Sequence, residues 1–331
     1  MRKLIFILVA ASLLPACSLS QKKVQMVDAR VSESRELSLS CATARADRCA
    51  QDSPVLELGE AALREGSHHL TLLEHGEPSL ALRLHLIRAA RNAIDVQNFI
   101  LRKDDSGELF LNELLDAARR GVKVRLLLDQ MFSFSEARYL VQLTMAHGNL
   151  EIRFYNPSFY KAKMAKHDWV SAVACCFRRF NQRMHNKLMM VDERVGIIGG
   201  RNIADRYFDY DTNYEFKDRD VAVFGATLRD MGVSFDWFWE NRKTVPVQHL
   251  RDVANELLKD PPGELGPYEP PPRFRPLLES TLDTQLMRAS FVDTAFVVER
   301  LEYFSDRPRK QPAADGTPQP DITQELYDLL L

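Results

Sequence analysis

Between residues 78 and 155, segments with apolar residues at helical spacing alternate with short runs that are apolar throughout, and this alternation leaves few possible architectures. SLALRLHLIRAARN places Leu80, Leu84 and Ile87 on one helical face, and AIDVQNFIL then reads as a strand. DDSGELFLNELLDAARRGV reads as a turn followed by a second amphipathic helix, with Gly121 as its C-cap. KVRLLLDQ is a continuous apolar strand of the kind buried on both faces of a sheet, and SEARYLVQLTMAHG with LEIRFYN repeats helix and strand. The expectation is an α/β layered domain, in which helices flank both faces of a central mixed, largely parallel β-sheet. At 331 residues the chain has room for one large domain or two ordinary ones.

The stretch RMHNKLMMVDERVGIIGGRNIADRYF, residues 183–208, carries the chemistry. MHNKLMMVD and VGIIGG read as two strands joined by a tight turn at Glu193 and Arg194. Alternate side chains of a strand share a face, so His185 and Lys187 project the same way. Asn202, just past Gly199 and Gly200, reaches the same space if the hairpin ends converge, and the glycines let backbone approach a ligand closely. This set suits attack on a phosphodiester. A neutral imidazole can displace at phosphorus through a covalent phosphohistidine. A lysine and an asparagine amide can neutralise and hydrogen-bond the non-bridging oxygens. With such donors in place no metal or cofactor is called for, and neither the five cysteines nor the eight histidines show a zinc spacing. A lone H-x-K is weak, because a strand-borne His and Lys more often belong to an exposed face; the whole spacing is far more specific.

His185, Lys187, Asp192, Gly199, Gly200 and Asn202 match the H-x-K-x(4)-D-x(6)-G-[SG]-x-N motif of the phospholipase D superfamily, and the flanks RMHNK and GGRNIADRYF resemble its bacterial cardiolipin synthase C-type branch. The resemblance extends through LIRAARNAIDVQNFI, AARRGVKVRLLLDQ and FKDRDVAVFG, about residues 78–246. Gly200 departs from the serine of many members, which removes one hydroxyl donor to phosphate. The resemblance implies that His185 is the catalytic histidine, with Lys187 and Asn202 as its phosphate-binding partners. It implies a structural carboxylate at Asp192 and, at Asp218, the carboxylate that orients the histidine through its second ring nitrogen. Asp220 competes with Asp218, and Arg201 with Asp205 is either a supporting ion pair or solvated surface. The implied reaction is phosphatidyl transfer from phosphatidylglycerol or phosphatidylethanolamine to a lipid hydroxyl, or hydrolysis where water wins. A periplasmic nuclease and a non-catalytic, membrane-tethered remnant are the competing readings. The balance of 44 basic and 46 acidic residues gives no global sign of nucleic acid, and the resemblance implies phospholipids and a membrane surface as partners.

The superfamily builds one active site from two such motifs, one histidine attacking and the other protonating the leaving oxygen. Only one copy stands in these 331 residues. After a proline-rich boundary at 260–276, TAFVVERLEYF reads as a strand. PDITQELYDLLL then opens a helix with Asp321 and Gln324 as a capping box. This reads as a second repeat interrupted at residue 331, leaving half a site that works little unless it is completed or forms a homodimer. The expected organisation is a signal peptide at 1–17, an irregular leader at 18–70 with a late helical stretch at SPVLELGEAALREG, and a catalytic repeat at 71–250. A proline-rich linker follows at 251–290, and the start of the second repeat occupies 291–331.

The N-terminus, MRKLIFILVAASLLPAC, resembles a bacterial lipoprotein signal with Cys17 as the lipidated residue, although Pro15 is unusual there. The expected location is the periplasmic side of the outer membrane. Cys41 and Cys49 are either a local disulfide or two free surface thiols. Cys175 and Cys176 are adjacent, which suits neither an ordinary disulfide nor a metal site, and they read as small buried residues entering a strand. Met231, Phe235, Phe238 and Trp239 read as one face of a core helix, with a lipid-facing surface as the alternative. YNPSFYKAK reads as either a lid or an ordinary connection.

Overall fold

The helical repeat of Leu80, Leu84 and Ile87 folds as a helix buried on nearly every turn, and the apolar runs beside it become strands of one nine-stranded sheet. The computed structural model describes residues 18–35 and 50–308. Cys17 and its signal, Cys41, Cys49 and the helix expected near Asp321 lie outside the described residues.

In chain order the first elements are α1 (Gln21–Ser34), α2 (Pro54–Glu65), β1 (His68–Leu73), α3 (Gly76–Ala89), β2 (Ala93–Asn98), α4 (Asp105–Arg119), β3 (Lys123–Asp129), α5 (Ala137–Ala146) and β4 (Leu150–Tyr155). There follow α6 (Lys166–Phe180), β5 (Leu188–Val191), β6 (Val195–Gly199), β7 (Asp220–Phe224), α7 (Leu228–Trp239) and β8 (Thr244–Pro246). The last are α8 (Arg251–Lys259), α9 (Arg275–Ser280), α10 (Thr284–Met287) and β9 (Phe296–Val298). Local rules set the ends. The Asp104 side chain caps α4 by accepting from Gly107 N at 3.1 Å, and Asp105 and Glu108 place negative charge in its first turn. The chain leaves this helix through Gly121, whose φ of 106° suits glycine.

The strand order is β8-β4-β3-β2-β5-β6-β7-β1-β9. The sheet is mixed with helices on both faces, as expected, but among its described strands only β2–β3 and β3–β4, joined through α4 and α5, pair in parallel. The other six pairings are antiparallel among the described residues. A three-residue turn between β5 and β6 makes those two antiparallel neighbours, whereas the helical crossovers through α4 and α5 return the chain in parallel. Period-two alternation divides β5 between two cores. Met189 and Val191 join the large core on one face, and Leu188 and Met190 join a smaller one beneath α7. Met231, Phe235, Phe238 and Trp239 are all buried there, so the core reading of α7 holds.

Several boundaries change. Within 18–70 the helical stretch expected at SPVLELGEAALREG forms as α2, but the described residues also form α1 and β1, and β1 pairs with β7, so a boundary at residue 71 falls inside a strand. The α1 helix buries only Val27 and Val31, too few apolar positions to stand out as a periodic pattern. The 251–290 segment is no free linker, since Val253, Leu257, Phe274, Leu277 and Met287 enter the main core. Its prolines include Pro272 and Pro276 in the first turns of short helices, where a missing N–H costs nothing. β9 joins the edge of this same sheet beside β1. Cys175 and Cys176 lie exposed on α6 and are disulfide-bonded to each other, because Cys176 leaves helical geometry (φ −141°, ψ 26°) and the adjacent sulfurs meet. The YNPSFYKAK stretch is a connection pinned by Gln130, which accepts from Ser158 N at 2.8 Å and donates to Lys161 O at 2.6 Å.

Candidate active site

The strand directions bring the motif to one end of the sheet. β2 and β3 finish there at Asn98 and Asp129, and β5 starts there with Leu188 opposite Gln97. β6 ends there with Gly199 opposite Asp220, the first residue of β7. Residues 185–187, 199–202 and 218–220 therefore converge.

His185 and Lys187 lie in the extended approach to β5 rather than inside the strand. Asp129 holds this approach. Its buried carboxylate accepts from Met184 N at 3.0 Å and from Arg183 Nη1 at 3.3 Å, and the Met184 side chain is fully buried. The His185 ring rests edge-on against Phe99, with centroids 4.7 Å apart. As alternation predicts, Lys187 points the same way: its Nζ donates to His185 O at 2.8 Å and lies 3.3 Å from His185 Nε2. Partial desolvation and then the Lys187 ammonium hold the imidazole below its ordinary pKa, against the opposing charges of Asp306 and Asp218. Burial brings Lys187 down to about 8 although Asp218 and Asp220 pull it up. At neutral pH the pair is thus a neutral imidazole beside a cation.

Asn202 is buried, and its Oδ1 accepts from Ile100 N at 3.0 Å, tying the loop after β6 to the end of β2. Its amide faces the Tyr207 hydroxyl. At Gly199 a Cβ would stand 2.1 Å from Asp220 Oδ1 and 2.5 Å from Arg219 O, so close strand approach demands glycine. At Gly200 a Cβ would stand 2.5 Å from Asp218 Oδ1. The partly exposed Asp218 side chain would have to shift to admit a serine there.

The two candidate carboxylates separate. Asp218 is partly exposed and its charge acts on both His185 and Lys187, but among the described residues no hydrogen bond joins it to the His185 ring. Asp220 is buried and committed elsewhere: it accepts from Ser79 Oγ at 2.9 Å, Arg83 Nη2 at 3.0 Å and Arg201 N at 3.1 Å. Burial opposes its charge, yet Arg83 and Arg201 hold its pKa below the usual carboxylate value. Of the two readings of Arg201 and Asp205, neither the mutual ion pair nor a solvated Arg201 is what forms, since Arg201 is buried. Arg201 reaches Asp220 at 3.4 Å and donates to Leu73 O and Glu74 O, while Asp205 accepts from Ser106 N and pairs with Arg273.

Asp192 sits at the far end of β5 from His185, in the turn rather than the site. Positive φ at Asp192 and Glu193 (52° and 55°) puts the turn one residue earlier than expected. Its carboxylate accepts from the N–H groups of Arg91, Asn92 and Ala93 at 2.8–2.9 Å, so it fastens the hairpin to the start of β2.

Three contributors escaped the sequence reading. Phe99 and Asp129 follow or end apolar strands and carried no motif, although a carboxylate closing a buried strand is a usable signal. Asp306 arrives on a segment without periodicity, which crosses α7 through Thr227 Oγ1 to Leu301 O (3.3 Å), Ser234 Oγ to Ser305 Oγ (2.6 Å) and Arg307 over Trp237 (4.6 Å). Among the described residues no group of three or more His, Cys, Asp or Glu is placed to hold a metal ion.

Residues 84–224 match the family described as "Cardiolipin synthase, PLD-like domain". The chain is 38% identical over 216 residues to an uncharacterized protein of Helicobacter pylori, covering 65% of this chain and 42% of that one. It is 35% identical over 188 residues to cardiolipin synthase C of Escherichia coli K12, covering 57% and 38% respectively. With cardiolipin synthase A of Pseudomonas fluorescens it shares 27% identity over 184 residues, covering 55% and 36%. The chain thus spans about two fifths of the length of these relatives.

Proposed function

Because this chain belongs to the phospholipase D superfamily and carries a cardiolipin synthase-like domain, we propose that it transfers phosphatidyl groups between phospholipids through a covalent phosphohistidine at His185. The observation that carries this is the pairing of a neutral imidazole with the Lys187 ammonium 3.3 Å away, both with lowered pKa, at the sheet end shared with Asn202.

In the first step His185 Nε2 bonds to phosphorus and the bond to the leaving headgroup oxygen breaks, that oxygen taking a proton from a general acid. In the second, a lipid hydroxyl attacks phosphorus, gives its proton to the same group and releases the histidine. Water in that role yields phosphatidic acid. Lys187 neutralises the non-bridging oxygens, and the Asn202 amide turns from Tyr207 to bond them. Asp218 supports the imidazolium-like charge that develops. The general acid is the histidine of a second motif facing His185, contributed by a second copy of the chain or by a further repeat. Phosphatidylglycerol and phosphatidylethanolamine are the proposed donors, and the proposed setting is the periplasmic side of the outer membrane, anchored through Cys17.

The test offers phosphatidylglycerol vesicles to the purified protein and follows cardiolipin and phosphatidic acid. The reading expects product that vanishes in His185→Ala. Turnover surviving that substitution removes His185 from the chemistry, and plasmid degradation without lipid turnover replaces the lipid substrate by nucleic acid.

A further inference from the structure

The α6 helix is turned inside out. Its inward side is formed by Asp168, locked to Lys161 Nζ by two bonds of 2.8 Å, and by the small Ala172. Its large apolar residues face solvent: Val170 is 70% exposed, Val173 and Phe177 56%, and Trp169 39%. The spacing i, i+1, i+4, i+8 makes them one stripe. The kink at Cys176 folds the last turn back so that Phe180 closes on Trp169, centroids 5.4 Å apart, which gathers the stripe into a compact apolar knob.

Charge names the occupant. Residues 161–183 contain six basic residues (Lys161, Lys163, Lys166, Arg178, Arg179, Arg183) and one acidic residue, Asp168, in a chain whose net charge is −2. Lys163, Lys166 and Arg178 are exposed around the apolar stripe. A short helix with Trp, Phe and Val on one face and Lys or Arg beside them suits the plane of an anionic bilayer, the rings at headgroup depth and the cations on lipid phosphates. No helix among the described residues is long and apolar enough to cross a membrane, so lying in the interface is the geometry open to α6. The helix also leads within five residues to His185.

We propose that α6 is a docking helix for an anionic phospholipid surface, seating the His185 end of the sheet against the headgroups. The inference rests on the lipid reading for its purpose, although the docking itself is read separately from turnover.

The test uses the full chain produced without lipid modification, with vesicles of phosphatidylcholine alone or with about one third phosphatidylglycerol, a portion carrying brominated acyl chains. At least tenfold stronger partition onto the anionic vesicles is expected. Brominated lipid is expected to quench tryptophan emission, with most of the quenching lost in Trp169→Phe. Val170→Asp combined with Val173→Asp is expected to cut partition tenfold or more while the circular dichroism and melting temperature hold. The proposal is overturned if that double variant binds like the parent or if quenching survives Trp169→Phe. It is also overturned if the parent sediments as a dimer that the variant splits while neither binds vesicles, since a second copy then covers the face. A short-chain phosphatidylglycerol below its micellar concentration reads chemistry without a surface. Vesicle binding with no turnover there sinks the proposed reaction and leaves the docking; turnover without vesicle binding sinks the docking.

Discussion

Replacing Asp220 should damage the fold more than the chemistry, and the structure sets the size of the effect. The carboxylate is almost fully buried and stands between two buried guanidiniums, Arg83 at 3.0 Å and Arg201 at 3.4 Å, while also accepting from Ser79 Oγ and Arg201 N. Asp220→Ala leaves two buried cations without their counter-charge, and breaking a buried pair from one side costs about 3–5 kcal/mol. Asp220→Asn keeps the acceptor for Ser79 and should fall toward the lower end of that range. For a domain of this size the loss corresponds to a fall in Tm of roughly 5–9 °C. The pH dependence has a definite sign. A carboxylate held below its unfolded pKa contributes its stability above that pKa and loses it as pH falls through the folded value, so the gap between parent and variant should be full at pH 7 and close in acid. Urea unfolding at pH 7 and in stepwise more acidic buffers measures both. A loss under about 1 kcal/mol at pH 7, or a gap that widens in acid, refutes the assignment of Asp220 to the scaffold.

Asp218→Asn should give the opposite pattern, leaving unfolding within about 0.5 kcal/mol of the parent while lowering lipid turnover; equal stability with equal turnover removes Asp218 from the site. The pH profile of kcat/KM should be bell-shaped, rising as His185 loses its proton below the usual imidazole pKa and falling as Lys187 loses its own near 8. Lys187→Arg should abolish the alkaline limb within that range. Gly199→Ala should cost at least about 1–3 kcal/mol in thermal unfolding, because the new methyl meets Arg219 backbone as well as the Asp220 carboxylate. Asp129→Ala should lower turnover on the order of 100-fold by freeing the approach to His185, a loss visible with lipid saturating.

The parts of the fold legible in sequence were those with strong local periodicity: α3, α4, β3 and the core face of α7 all lie where Leu80, Leu84, Ile87, the KVRLLLDQ run and the Met231 to Trp239 repeat put them. What escaped was decided by partners distant in the chain. HHLTLL becomes a strand because β7 and β9 accept it, and the prolines of 260–276 read as a linker until Phe274 and Leu277 find the core. Parallel pairing stops at β2, β3 and β4 because β5 enters antiparallel to β2, and the turn at Asp192 and Glu193 then sets β6 antiparallel to β5. At the site, the spacing points to His185, Lys187 and Asn202 because the motif is contiguous. The resemblance puts Asp218 ahead of Asp220 as the partner of the histidine, but the depth below the surface that separates their roles is not legible in two carboxylates two residues apart. Phe99, Asp129 and Asp306 come from segments 50 residues or more away from His185, and nothing local marked them.

The proposed reaction turns on where the phosphatidyl group is held between donor and acceptor. The direct measurement is to quench the protein during reaction with phosphatidylglycerol labelled at phosphorus and map the acid-labile adduct by peptide mass spectrometry. The account predicts the label on the peptide containing His185 and its loss in His185→Asn. A label on any other residue, or lipid turnover with no adduct on His185, contradicts it.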